Sequence, residues 1–185
     1  MIITISGDPG SGKTTVAKLL AKELKLKHFS VGSSLRKLAV EHGKTFLEIN
    51  KEAETNPDID RFLDSKLVEI SKKDGYVVDC RLGFLFIPNS IKIFLKVDEK
   101  VGAERIFKAR RGLEHYSSVS EVLNSLRERK KSEFERYKKY YGVDYNNLKY
   151  YDLVIDTTNL TPEETVSAII DFVRNKSGVR DENKE

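Results

Sequence analysis

Gly7-Asp8-Pro9-Gly10-Ser11-Gly12-Lys13-Thr14 decides how this chain is read. The stretch fits the pattern G-x-x-x-x-G-K-S/T with no mismatch. Before it, Met1 to Ser6 is a β-branched run suited to a buried parallel strand. After it, Thr15 to Leu24 places apolar residues at helical spacing. Strand, glycine-rich loop and helix is the order in which this motif cradles phosphate. Glycines let successive backbone N–H groups turn inward around an anion, and the helix that follows adds its dipole. The expected cradle runs through Gly7, Asp8, Pro9, Gly10, Ser11, Gly12, Lys13, Thr14 and Thr15. Lys13 is expected on the β- and γ-phosphates of a nucleoside triphosphate, and Thr14 on Mg²⁺. The alternative is a structural Gly/Ser turn beside a surface lysine.

The chain has 185 residues, enough for one domain with a substantial core. Charged residues make up 34% of it, above the usual quarter, which points to a surface laced with salt bridges. The net charge of +4 is mild and suits an anionic small molecule as well as nucleic acid. A single cysteine, Cys80, excludes an internal disulfide and any multi-cysteine metal site. His28, His42 and His115 have no metal-ligand spacing. No apolar run approaches a membrane span, and the N-terminus begins with a core strand rather than a leader. The expectation is a soluble, cytoplasmic protein that binds neither membrane nor nucleic acid, and a monomer.

Further along, strands are expected at Lys27–Val31, Tyr76–Arg81, Ile91–Val97 and Leu153–Asp156. Between the second and third, a helix follows Gly32-Ser33-Ser34, with Ser33 or Ser34 as its cap. A second starts at the capping box Thr45 to Glu48, and a third runs from Ile59 to Lys72 with Phe62 on its apolar face. A helix is expected from Asp98 to Arg111, packing through Val101, Ile106 and Ala109. A long charged helix opens at Ser120-Glu121 and ends at Gly142, and a last one begins at Thr161-Pro162. Alternation of strands and helices predicts an α/β fold: a three-layer sandwich with a five-stranded parallel sheet and helices on both faces. Within it, residues 1–32 and 73–175 form the core, 33–72 a helical insertion, about 105–136 a lid region, and 176–185 a tail.

A phosphate-cradling loop alone does not separate a kinase from a switch GTPase or a motor ATPase. Asn175-Lys176 is followed by Ser177-Gly178 and lies on no strand, so the guanine-reading motif of a switch GTPase is missing. The chain is short for an oligomeric motor. Gly32-Ser33-Ser34-Leu35-Arg36 and Asp79-Cys80-Arg81 resemble the acceptor-binding segment and strand-end turn of P-loop nucleoside monophosphate kinases. Leu126-Arg127-Glu128-Arg129-Lys130-Lys131-Ser132-Glu133-Phe134-Glu135-Arg136-Tyr137 resembles cytidylate kinases in its spacing of arginine, acid four later and arginine seven later. From Ile2 to Phe172 the chain is similar to the short archaeal type, with Cys80 where glycine is usual and Ser33 where aspartate is frequent. The resemblance implies phosphoryl transfer from Mg·ATP to CMP or dCMP. It implies that Lys13, Arg110, Arg129 and Arg136 stabilise the transferring group. It implies that Ser33, Arg36, Arg61, Asp64, Arg81, Arg129 and Glu133 hold the acceptor, and that Thr14 and Asp79 hold the metal.

Each of these residues has a plainer reading. Arg36 is otherwise a solvated helix arginine, and Asp79 a core acid paired with Arg81 or Lys13. Arg81 lies at the carboxyl end of a strand, where open α/β sheets bind ligands. Arg129, Glu133 and Arg136 share one helix face but also read as an ordinary surface ladder. Arg110 and Arg111 form a lid or a solvated pair. Asp60, Arg61 and Asp64 lie on a helix charged around its outer face. The tyrosines from Tyr137 to Tyr151 read as packing rather than a base-stacking platform. Two rivals to cytidylate phosphorylation remain. One is another small-acceptor kinase acting on AMP, UMP or a metabolite. The other is a nucleotide-switched protein that binds RNA or an assembly.

Overall fold

The computed structural model describes residues 1–109 and 116–176. Five parallel strands, β1 (Ile2–Gly7), β2 (Lys27–Ser30), β3 (Tyr76–Asp79), β4 (Ile91–Lys96) and β5 (Leu153–Asp156), form one sheet. Their order is β2-β3-β1-β4-β5. Ile5 pairs with Asp79 of β3 on one side and with Ile93 of β4 on the other, so the loop after β1 emerges at the centre of the sheet. All of β1 is buried, which matches its unbroken apolar and small-residue run.

Helices α1 (Lys13–Glu23) and α8 (Pro162–Lys176) cover one face. Val16, Leu20, Ile169 and Val173 pack there on Ile3, Ile5, Val77, Ile93 and Leu95. Between β2 and β3 the chain forms α2 (Val31–Glu41), α3 (Phe46–Glu52) and α4 (Pro57–Ser71). Leu67 and Ile70 of α4 pack on Ile2, Val78 and Cys80 of the opposite face. Leu35, Phe46, Ile49 and Leu63 close a separate small core among the three helices. The short α5 (Gly83–Phe86), which the sequence reading did not separate from a loop, follows β3. Helix α6 (Glu99–Ala109) follows β4, and α7 (Val119–Tyr141) runs to the left-handed C-cap Gly142.

Several boundaries differ from the expected ones for local reasons. Ser30 caps α2 by accepting the Ser33 N–H, so Gly32-Ser33-Ser34 lies in the first helical turn and β2 stops one residue before Val31. Asn56 caps α4, with Pro57 at its first turn, and Ser118 rather than Ser120 caps α7. The capping box at Thr45 and Glu48 forms as expected. Phe62 and Ala109 are exposed, not packed.

Candidate active site

The loop between β1 and α1 takes its shape from close backbone approach. Gly10 has φ of 79°, and a Cβ there would lie 2.3 Å from the carbonyl oxygen of Gly102 in α6. Gly102 is itself tight, since a Cβ on it would lie 2.7 Å from the Pro9 carbonyl oxygen. Two glycines therefore let the loop sit directly on a helix that side chains would hold away. Ser11 Oγ donates to the Asp8 carbonyl at 2.8 Å and closes the turn.

Lys13 Nζ donates to the carbonyls of Gly7 and Asp8, at 3.0 and 2.7 Å. Burial first, then the Arg81 charge, lowers its pKa to about 7 against the opposing pull of Asp79. Thr14 Oγ1 donates to Asp79 Oδ2 at 2.6 Å, and Ser30 Oγ donates to the same oxygen at 3.0 Å. Arg81 pairs with Glu133 and Lys13 with carbonyls, so the core ion pair weighed for Asp79 gives way to a hydroxyl–carboxylate cluster. A threonine hydroxyl and a carboxylate side by side form an oxygen donor set that suits Mg²⁺, which keeps several waters. Among the described residues, no group of three or more His, Cys, Asp or Glu side chains is placed to hold a metal by itself.

The opposite wall is α7, and here charges point inward. Glu133 and Arg136 are only 3% and 4% exposed, whereas Phe134 is 40% exposed. Glu133 Oε2 accepts from Arg81 Nε at 2.9 Å and Oε1 accepts from Arg129 Nε at 2.8 Å. Burial would raise the Glu133 carboxyl, but Arg81 and then Arg129 overcome it and hold the pKa at about 2. Arg81 also donates to the Gly7 carbonyl and lies over the Tyr145 ring at 5.0 Å. Burial pulls the Arg81 pKa down, but Glu133, Tyr145 and Tyr137 together push it above the ordinary arginine value. Glu133 is thus a clamp joining a residue just past β3 to the middle of α7.

Arg136 turns toward the insertion between β2 and β3. Its Nη1 donates to the Asn50 carbonyl at 3.1 Å and its Nε lies 3.0 Å from Asp60 Oδ2. Asp64 accepts from the Tyr141 hydroxyl. Burial raises the Asp64 pKa to about 6, with the Tyr141 hydrogen bond opposing and Asp60 adding. A pair of half-buried to buried acids, an amide residue and an arginine thus lines one end of the cleft.

The cleft runs between these groups. Gly12, Lys13, Thr14, Arg36, Asp79, Arg81, Arg129, Glu133 and Arg136 all line it, with Asp60 and Asp64 at the insertion end. Of the expected residues, Gly7, Asp8, Ser11, Thr15, Ser33 and Arg61 do not; Gly7 and Asp8 instead hold Lys13 through their carbonyls, and Ser11 is buried in the turn. Ser33 is exposed, because its turn is consumed in starting α2. Thr15 is exposed on α1, one residue past the loop. Arg61 points to solvent, pairing with Asp58 at 3.0 Å one helical turn back, while Asp60 faces the cleft instead. Arg110 lies outside the described residues.

Sequence reasoning gave no role to Phe46, Asn50 or Lys130. Lys130 Nζ pairs with Asp8 Oδ1 at 3.1 Å, tying α7 to the phosphate loop. Its place one residue after Arg129 was the available signal. The tyrosines pack: Tyr145 is 1% exposed and meets Tyr137 edge-on, with ring centroids 5.8 Å apart.

Comparison with known proteins follows the same lines. A family model described as an AAA domain matches residues 6–131. The chain is 38% identical over 178 residues to the cytidylate kinase of Sulfurisphaera tokodaii, spanning 95% of this chain and 96% of that one. It is 39% identical over 180 residues to the cytidylate kinase of Pyrococcus abyssi, spanning 95% and 97%. A shikimate kinase from Acinetobacter baumannii, solved in complex with shikimate, has a TM-score of 0.63 at 17% identity, covering 95% of this chain and 93% of that one. That last likeness is one of fold alone, and it agrees with a P-loop NTPase sandwich around a parallel sheet.

Proposed function

The chain belongs to the cytidylate kinase family, and from that premise we propose that it transfers the γ-phosphoryl group of ATP to the phosphate of CMP or dCMP, giving CDP or dCDP. That it is an ATP-dependent nucleoside monophosphate kinase follows from the family itself. The choice of base and donor is the finer reading. The observation that carries it is the inward-facing charge of α7, set opposite Lys13 and Arg81 across one cleft.

Phosphoryl transfer demands in-line placement of two phosphates and spreading of charge, with no covalent work by the enzyme. Lys13 leaves the loop carbonyls for the β- and γ-phosphates of the donor, and the backbone from Gly7 to Thr14 takes the rest. Thr14 and Asp79 would hold Mg²⁺, which would supply positive charge to neutralise the phosphates. Arg36 and Arg81 draw the acceptor phosphate toward the γ-phosphorus. Arg129 shares the charge that develops between them, and Glu133 keeps Arg81 and Arg129 in register. At the insertion end, Asp60, Asp64, Asn50 and Arg136 offer donors and acceptors to a pyrimidine edge. A base has to compete with the pairs these groups already make, so only one with complementary donors and acceptors gains by binding there. Helices α2 to α4 act as the acceptor-binding insertion, and α6 to α7 as the lid that keeps water from the γ-phosphate. The enzyme works as a cytoplasmic monomer. No described helix is long and apolar enough to cross a membrane.

Release of ADP from Mg·ATP, followed with CMP, dCMP, UMP and AMP beside a Lys13→Ala control, tests the reading. Turnover rising mainly with CMP or dCMP and lost in the variant is expected. A preference for AMP or UMP overturns the base assignment.

A further inference from the structure

Phe46 opens α3 directly after the cap residue Thr45 and is 4% exposed. On that evidence alone it is a core residue, packed with Leu35, Ile49 and Leu63. Its ring, however, also meets two charges from different parts of the chain. Arg36 Cζ of α2 lies over it, 4.4 Å from the centroid. Arg129 Cζ of α7 lies over it as well, at 4.7 Å. We propose that Phe46 is a positioning residue, a single aromatic platform that holds the acceptor-side and donor-side arginines at a fixed separation. This rests on the phosphate roles given above to Arg36 and Arg129.

Two cations gathered around one point repel each other, and some group must hold them there. A carboxylate does so for Arg81 and Arg129 through Glu133, but each added carboxylate cancels positive charge that phosphate is to meet. An aromatic face attracts a guanidinium through its quadrupole and carries no net charge. A ring contact also consumes none of the guanidinium's N–H donors, which suit phosphate oxygens. Phe46 therefore orders the arginines at little expense to the positive field. The same helix reaches a third arginine, since the Asn50 carbonyl of α3 accepts from Arg136. Helix α3 is in this way a common floor under arginines of both α2 and α7.

Progressive fluorination of the Phe46 ring separates this role from packing, because fluorine drains the quadrupole with little change of shape. Site-specific 4-fluoro, 3,5-difluoro and 3,4,5-trifluoro phenylalanine at position 46 would be assayed for kcat and KM with CMP, and for Tm. We expect log kcat/KM to fall in step with each fluorine, to about tenfold at three, with Tm lowered by no more than a few degrees as the two contacts weaken. In an Arg36→Ala background the fall shrinks, leaving the part due to Arg129. A flat series overturns the proposal, and so does a fall that is as large in the Arg36→Ala background as in the wild type. Wild-type protein without acceptor-stimulated turnover would instead remove the kinase reading and this proposal with it. Turnover in the wild type beside a flat series removes the role of the ring alone.

Discussion

Glu133→Gln keeps the shape of the side chain and removes the one negative charge between Arg81 and Arg129. In the folded protein that carboxyl titrates at about 2, because the arginines overcome the effect of burial. In the unfolded chain an ordinary glutamate titrates near 4.3, so roughly two pH units of difference correspond to about 3 kcal/mol of stability. Removing one member of a buried ion pair gives a similar figure by a separate route, about 3–5 kcal/mol, since the remaining charges lose their compensation. For a chain of this size about 3 kcal/mol lowers Tm by roughly 10 °C near neutral pH. The pH dependence fixes the cause. A carboxyl with a depressed folded-state pKa contributes fully above the unfolded value, and the contribution is lost as pH falls toward the folded one. Thermal unfolding of the two proteins should show a constant gap from about pH 8 to about pH 5, closing below about pH 4. Equal Tm at neutral pH would refute the clamp, as would a gap that closes between pH 8 and 5. Activity should fall by about a hundredfold as well, because Arg81 and Arg129 lose their common anchor.

Two further outcomes are expected. Gly102→Ala replaces a helical glycine by the best helix former, which by propensity alone stabilises by about 1 kcal/mol. The added Cβ would lie 2.7 Å from the Pro9 carbonyl, so unfolding should show a net loss of about 1–3 kcal/mol, and KM for ATP should rise. An unchanged or higher stability would show that the loop yields freely. Lys13, with its pKa lowered to about 7 by burial and Arg81, is largely neutral above that pH until a polyphosphate restores its charge. Calorimetric binding of ATP without acceptor at about pH 8.5, in buffers of different ionisation enthalpy, should show uptake of about one proton, absent in Lys13→Met. No buffer dependence would mean that the lysine is already charged before the nucleotide arrives.

The sheet, the phosphate loop and most helix ends were legible because local rules govern them. A buried parallel strand reads as an apolar run, and Thr45 with Glu48 writes its own capping box. The candidate site was legible where a motif fixes backbone geometry, from Gly7 to Thr14, and at Asp79 and Arg81, where the end of a central strand marks the cleft. Elsewhere the rules that serve for cores point the wrong way. Phe62 and Phe134 sit at apolar positions and are exposed, while Asp60, Glu133 and Arg136 sit at polar positions and are buried. Charges are rarely buried without partners, and the partners of Glu133 are 52 residues away at Arg81 and one helical turn back at Arg129. No periodicity within α7 carries that information. For the same reason Arg61 was a poor choice and Asp60 the better one: the helix carries charge on both flanks, and only the approach of Arg136 decides which flank faces the cleft. A helix whose working face is charged thus looks, by its own pattern, like a helix turned inside out. The resemblance in the spacing of Arg129, Glu133 and Arg136 pointed inward where the periodicity did not, because spacing records which side chains must converge rather than which are apolar.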